Sequence, residues 1–518
     1  MKLTDTTSYA KAQALFSSQG LWDLFDGDRT SLNLAHECID RHASDPARVA
    51  VRVIRADDCD EILTFQQISE ASSQVAHWLA AQGVQTGDRV AVMLEPSLAF
   101  YAAVFGAIKR GAIAVPLFTL FGPDGVRLRV DDCTPAILIT NAEKWSTTRD
   151  LEDGAKVALD TDMMAEVADY STGYDYASAA NDLAAFQYTS GTTRELPEAV
   201  RHSHRAIVTV ANAALYATGI RPGDRFFCPS SPAWGHGLWH GTFAPLGLGI
   251  ETGTFAGKFS PERLCQALEQ YQITNLSAAA THYRMMMNCG AAPKHSYAIE
   301  KLSFTGEPID SETATYTERT FGTPACSIYG TTEVGVILAA YPGADDFQPK
   351  AGSLGKPVPG VEVAVHRADG TNAAPDEVGE IVLRRRDAWI PTKDRGWIDA
   401  EGYFFHGGRS DDVIISAGYT IGATEVEDAL LRHPDINEAA VIGVPDSLRG
   451  HVVKAFVVSA RMTEEAFTEE IQTFVRERLS QHEYPRHVAY VTELPKTPAG
   501  KVNRKILRER EASANATK

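Results

Sequence analysis

Between the apolar runs 183–188 and 199–200 stand five consecutive small or hydroxylated residues: Thr189, Ser190, Gly191, Thr192 and Thr193. Such a run exposes several backbone N–H groups and four side-chain hydroxyls on one short loop. A polyphosphate needs many converging donors, because its oxygens carry the negative charge. The strand-loop-strand setting and the lack of a G-x-x-x-x-G-K-[ST] pattern separate this loop from a Walker-type site. Taken alone, a Ser/Thr-rich surface turn is the simpler reading. It does not stand alone.

Further along come Tyr329, Gly330, Thr331, Thr332 and Glu333. An aromatic ring can stack on a base, a Thr hydroxyl can donate to a phosphate oxygen, and a carboxylate can hold Mg2+. Asp394 lies in the string Thr392, Lys393, Asp394, and its two carboxylate oxygens can accept both hydroxyls of a ribose. Arg409 and Asp411 follow in Gly408-Arg-Ser-Asp-Asp412, and Gly418 follows in Ser416-Ala-Gly-Tyr-Thr-Ile-Gly422. A residue without a side chain lets a thin ligand pass the backbone. Near the end, Lys501 sits after Gly500. A flexible point charge there can stabilise charge that develops on phosphate during transfer. Each stretch also has a plain structural reading, as a turn or a solvated basic loop. Their ordered succession favours chemistry.

These stretches resemble the signatures of the adenylate-forming acyl-CoA synthetases, a superfamily that also holds non-ribosomal peptide adenylation domains and luciferases. The resemblance spans nearly the whole chain, from Ile68 to Arg508. It implies ATP, Mg2+ and coenzyme A, with a small carboxylic acid as the substrate. By resemblance, Thr189, Ser190, Gly191, Thr192 and Thr193 hold the phosphates. Tyr329 stacks on adenine beside Gly330 and Thr331, and Gly306, Glu307 and Pro308 border the same site. Thr332 contacts the α-phosphate, Glu333 is the magnesium-side carboxylate, Asp394 takes the ribose, and Arg409 binds ribose or phosphate. Asp411 is the hinge, Gly418 lines the pantetheine tunnel, and Lys501 is the catalytic lysine. Trp234, His236, Gly237 and Trp239 align with segments that line the carboxylate pocket. The wording around Gly418 is closer to acetyl- and medium-chain acyl-CoA synthetases than to aryl or peptide-synthetase versions. With the aromatic pocket residues, it suggests a medium-chain, branched or cyclic/aromatic acid.

Three departures stand out. In the phosphate loop Arg194 replaces an expected Gly, one residue is extra, and Glu198 replaces the usual Lys. Arg194 can supply the missing cation with a bidentate grip. Lys393 stands where the family has Gly, and Thr420 stands where many members have Arg. His236 and His240 are four apart, but no third ligand is evident and Gly237 disfavours a helix, so the pair does not predict a metal site.

The elements that must position these residues follow from periodicity. Apolar residues recur at helical spacing over 68–83, residues 87–93 read as a buried strand, and a second helix over 98–110 precedes a strand at 112–115. Helix 124–132 and strand 136–140 continue the rhythm, which resumes with helix 204–217, strand 225–228, helix 261–271 and strands 275–278 and 326–329. Strand alternating with helix means a mostly parallel sheet, with its ligand loops at the strand C-terminal ends. From 355 to 386 the texture turns to Gly/Pro turns and alternating strands, a small β subdomain. After 407–411 a compact α+β unit begins.

The expected fold is therefore α/β: an N-terminal domain over 1–410 and a small mobile C-terminal domain over 411–518. A chain of 518 residues is too long for one ordinary core. Its net charge of -18 argues against nucleic acid or an anionic membrane as the main partner. Seven scattered cysteines suit a reducing compartment, and neither a signal peptide nor a membrane span is evident, so a cytoplasmic location is expected. The sequence sets no oligomeric state. Two other functions stay open: loading of a carrier-protein thiol, and a silent homologue that binds nucleotide or acyl-adenylate as a sensor.

Overall fold

Thr64 opens the first long helix, Phe65–Ala81, through a capping box with Gln67. Its inward stripe, Ile68, Ala71, Val75 and Leu79, is buried as the spacing predicts. The helix packs on Leu98–Lys109, and together they form the centre of the largest core cluster. This computed structural model describes residues 3–148, 151, 155–188, 199–306, 308–331, 334–409, 413–461, 465–495 and 502–515.

Three sheets organise the described residues. One has six strands in the order Lys156–Leu159, Ile137–Thr140, Arg89–Met93, Ile113–Pro116, Leu183–Tyr188 and Ala199–Ser203. All neighbours in it are parallel except the last pair, in which Tyr188 faces Ala199. A second sheet has thirteen strands. Its parallel part includes Asn275–Ala279, Lys301–Thr305 and Ala325–Thr331. The third, five-stranded sheet is built from Val413–Ser416, Tyr419–Gly422, Glu438–Asp446, Gly450–Val458 and His487–Tyr490.

The antiparallel strands expected after residue 355 are present and continue the large sheet. The strand Ala325–Thr331 turns back on Gly335–Ala339, and the antiparallel strands Ser353–Pro357, Phe404–Arg409, Ala388–Ile398, Gly379–Arg385 and Val363–His366 extend the same thirteen-stranded sheet. A paired hairpin satisfies the edge of the parallel part and carries the sheet onward. One expectation is revised: residues His236–Phe243 are helical despite Gly237. A Cβ on Gly237 would lie 2.1 Å from the Ser231 carbonyl oxygen and 2.4 Å from that of Ser230. The glycine serves a close backbone approach and does not break the helix.

The chain leaves the large sheet at Arg409, paired with Asp394, and enters the small sheet at Val413, paired with Gly422. In the strand Glu438–Asp446 successive residues alternate between two cores. Ala439 and Val441 face the helices Ala423–Leu431 and Glu465–Arg478. Ala440 and Ile442 pack with Leu494, Val502 and Leu507 on the opposite face. Among the described residues no helix is long and apolar enough to cross a membrane.

Candidate active site

The strands ending at Ala279, Thr305 and Thr331 are parallel neighbours, with Ala279 opposite Thr305, so their C-terminal ends share one edge. Ligand loops of parallel sheets gather at that edge. Thr305 Oγ1 donates to the Ile328 carbonyl at 3.0 Å and fixes the start of the loop that holds Gly306 and Pro308. Gly306 has φ +89, and a Cβ there would meet the Gly418 Cα at 2.9 Å and the Trp234 ring at 3.2 Å. Gly306, Trp234 and Gly418 thus meet, although they come from three distant stretches.

Gly418 owes its position to a tight turn. Ala417 and Gly418, with φ of 51 and 78, join the strand ends Ser416 and Tyr419. Two left-handed residues between paired strands make the hairpin turn whose twist matches the strands. The turn brings Gly418 to Ala279, whose Cβ would lie 3.1 Å from a Cβ on Gly418, and to Trp234 at 3.3 Å. Tyr419 stacks near Trp234 at 5.8 Å and on His482 at 4.0 Å.

The Tyr329 hydroxyl donates to Asp394 Oδ2 at 2.6 Å and lies 3.3 Å from Thr392 Oγ1. Asp394 is buried, its amide bonds to Thr392 Oγ1, and His406 Nε2 lies 3.4 Å from Oδ1. Lys393, between them, has φ +65. The backbone at Lys393 is therefore left-handed although the residue carries a Cβ, and the turn keeps Asp394 aimed at Tyr329. Gly330 sits at a bulge of the hairpin with Gly335–Ala339, and a Cβ there would lie 2.0 Å from the Gly335 carbonyl oxygen.

The pocket residues divide. Trp234 is half-buried at the meeting point just described. His236 is buried, and both ring nitrogens are engaged: Nδ1 with Ser230 Oγ at 3.0 Å and Nε2 with Ser277 Oγ at 2.9 Å. Burial, with smaller effects of His240 and His282, holds its pKa far below the ordinary value, so the ring is neutral. Trp239 is buried and donates to Gln187 Oε1 at 2.8 Å. Gln187 Nε2 also lies against Gly235, where a Cβ would come within 2.3 Å. Gln187 carries a signal in the sequence as a lone amide inside the apolar run Leu183–Tyr188. It ties the strand Leu183–Tyr188 to the helix His236–Phe243.

Thr189, Ser190, Gly191, Thr192, Thr193, Arg194, Glu307, Thr332, Glu333, Asp411 and Lys501 lie outside the described residues, as does the side chain of Arg409. Their flanks are placed. Tyr188 and Ala199 are paired strand ends. The Tyr188 hydroxyl donates to Asp132 at 2.6 Å and lies 2.9 Å from the Arg129 carbonyl, and the Ala199 amide donates to Asp132 at 3.3 Å. The helix Pro123–Cys133 therefore braces the loop's base.

Among the described residues one grouping has the spacing to hold a metal ion, His433 with Asp435 and Glu470 in the small domain. The Arg461 guanidinium already bonds both acids, at 2.8 and 2.9 Å, and offsets part of their charge.

The family model described as AMP-binding enzyme matches residues 39–388, and that of the AMP-binding enzyme C-terminal domain matches 425–501. The acetyl-coenzyme A synthetase of Bacillus subtilis (strain 168) is 31% identical over 94% of this chain and 91% of its own length. The mitochondrial acyl-coenzyme A synthetase ACSM3 of Rattus norvegicus is 29% identical over 86% of this chain and 84% of its own. The crystal structure of the Brucella canis acyl-CoA synthetase superposes with a TM-score of 0.74 at 32% identity, covering 98% of this chain and 99% of that one.

Proposed function

The chain belongs to the AMP-binding enzyme family as an acid–thiol ligase of the acyl-CoA synthetase kind, and on that premise we propose a two-step reaction divided between its domains. In the first step a carboxylate oxygen of the acid attacks the α-phosphorus of ATP. The bond to the bridging oxygen breaks, giving acyl-AMP and pyrophosphate. In the second step the sulfur of CoA attacks the acyl carbonyl carbon, the thiol proton is lost, and AMP leaves.

For the first step the assigned groups are Tyr329 for adenine, Asp394 for ribose, the loop 189–194 for the phosphates, and Thr332 and Lys501 at the α-phosphate. The carboxylate of Glu333 is a hard oxygen donor that suits Mg2+, an ion that screens triphosphate charge. For the second step Gly418 lines the passage for pantetheine. Turning the small domain about Asp411 exchanges Lys501 for Gly418 at one site, so a single pocket serves two reactions that need different neighbours. The proposed domain limits are 1–410 and 411–518.

The observation that carries this reading is the meeting of Gly418 with Gly306 and Trp234. It brings a residue without a side chain from the small domain against Gly306 and Trp234 of the large one, which supports a thioester step at that point. The proposed acid is medium-chain, branched or cyclic/aromatic, on the wording around Gly418 and the tryptophans of the pocket segment.

The test is pyrophosphate release from ATP·Mg2+ with a panel of carboxylic acids, each with and without CoA. Release that needs one class of acid and turns over repeatedly only with CoA is expected. A single burst that CoA does not extend would point to a carrier-protein thiol, and release with no acid at all would defeat the ligase reading.

A further inference from the structure

The large and small domains meet at a buried cluster of charge that lies outside the reacting groups named above. Arg129, on the large-domain helix Pro123–Cys133, is 2% exposed. Its Nη1 lies 3.2 Å from Glu425 Oε1 and its Nη2 4.0 Å from Glu483 Oε1, both carboxylates belonging to the small domain and both buried. The guanidinium also donates to the Gly125 carbonyl at 2.7 Å and lies 3.8 Å from the centre of the Phe121 ring. Among the described residues, Arg129 Nε, Glu425 Oε2 and Glu483 Oε2 have no hydrogen-bond partner.

The rest of the contact fits closely around this cluster. The Gly122 amide donates to the Leu479 carbonyl at 2.7 Å, and Phe121 bridges to Ser480 as an isolated antiparallel pair. A Cβ on Gly122 would lie 2.1 Å from the Glu477 carbonyl oxygen, so this approach is open only to glycine. At the margin Asp124 pairs with Arg432 at 3.0 Å and faces Arg478 at 3.7 Å. The same contact holds Tyr419, and with it the turn at Gly418, against Trp234.

We propose that Arg129 is a positioning residue that, clasped by Glu425 and Glu483, holds the small domain in the orientation that presents Gly418 to the acyl site. The proposal rests on the two-step ligase reading above. A buried carboxylate pair without its cation is costly, so these acids favour this orientation only while Arg129 is between them. When the small domain turns away, all three groups regain water and the cluster costs nothing. Arg129 therefore favours the thioester step over the adenylation step. Because the Tyr188 hydroxyl lies 2.9 Å from the Arg129 carbonyl, the clasp is also continuous with the base of the phosphate loop.

The experiment separates the two steps. ATP–pyrophosphate exchange reports adenylation, and single-turnover transfer from preformed acyl-AMP to CoA reports the second step. Hydrogen exchange of peptides covering 118–126 and 477–483 reports the domain contact without any catalysis. Arg129→Gln is expected to keep exchange within about threefold of the parent and to slow transfer at least about tenfold, as loss of a contact between charged groups does. Both peptides should exchange faster, and Arg129→Lys should recover part of the transfer rate. Glu483→Gln, which removes the excess acid and keeps the shape, is expected to leave both peptides at least as protected as in the parent. Parallel loss of both steps together with thermal stability would overturn the proposal, as would unchanged peptides in Arg129→Gln. An unmodified protein that exchanges no pyrophosphate with any acid would defeat the ligase reading instead, and the hydrogen-exchange comparison would still decide the clasp.

Discussion

The Tyr329 hydroxyl donates to the Asp394 carboxylate at 2.6 Å, so the ring assigned to adenine and the acid assigned to ribose are one mechanical unit. They come from separate strands of the large sheet, Ala325–Thr331 and Ala388–Ile398. Removing the hydroxyl in Tyr329→Phe keeps the ring for stacking but frees the buried acid to turn. A hydrogen bond to a charged group contributes about 1.5–3 kcal/mol. The KM for ATP is therefore expected to rise roughly tenfold, in line with the lower end of that range. The KM for CoA should not change. Steady-state kinetics with each substrate varied checks this, and equal rises in both constants would refute it.

Gly418→Ala should separate the two steps. At φ +78 an alanine costs about 1–2 kcal/mol in left-handed strain. Its methyl would press on Ala279 and Trp234 at 3.1 and 3.3 Å. The strain is common to both orientations, whereas the clash arises only in this one, so pyrophosphate exchange is expected to persist while CoA-dependent turnover falls about tenfold, as a clash of about 1.4 kcal/mol would cause. Equal loss of both activities would remove Gly418 from the thioester step.

Much of this was legible in the sequence, for a physical reason. Helices such as Phe65–Ala81 declare themselves through one buried stripe, and the site loops fall just past apolar runs because parallel strands end there. What escaped notice depends on contacts between distant segments. Gly237 looks like a helix breaker until the Ser230 and Ser231 carbonyls are seen to crowd it. The charges of Arg129, Glu425 and Glu483 look like solvated helix and loop faces, because nothing local shows that the three are buried together. Lys393 reads as a lost glycine, yet the backbone there keeps the glycine conformation at φ +65.

That last point can be measured. Lys393→Gly and Lys393→Ala both delete the side chain, so whatever it bonds is lost equally in the two variants. They differ in the cost of the left-handed backbone, about 1–2 kcal/mol for a residue with a Cβ. The glycine variant should be the more stable by about that amount in urea unfolding, less the entropy that glycine gives the unfolded chain, roughly 0.5–1 kcal/mol. A more stable alanine variant would show that the turn had rearranged.

The clasp around Arg129 carries a pH dependence whose sign follows from Glu483. Burial and the negative charge of Glu425 push its carboxyl up from 4.5 to about 7, against the opposing pull of Arg129 and the Ser480 hydroxyl. Asp124, Arg432 and Arg478 stand only at the margin of this contact. A carboxyl whose pKa is raised in the docked orientation takes up a proton on docking. Its contribution is most favourable below the undocked value near 4.5, is lost as pH rises through about 7, and is level above that. The domain contact should therefore loosen between these limits. Hydrogen exchange of the 477–483 peptide, taken as the ratio of the parent to Glu483→Gln at each pH, cancels the intrinsic pH dependence of exchange. The ratio is expected to climb toward neutral pH and then flatten, whereas a ratio constant from pH 5 to 8 would show that Glu483 does not titrate with docking.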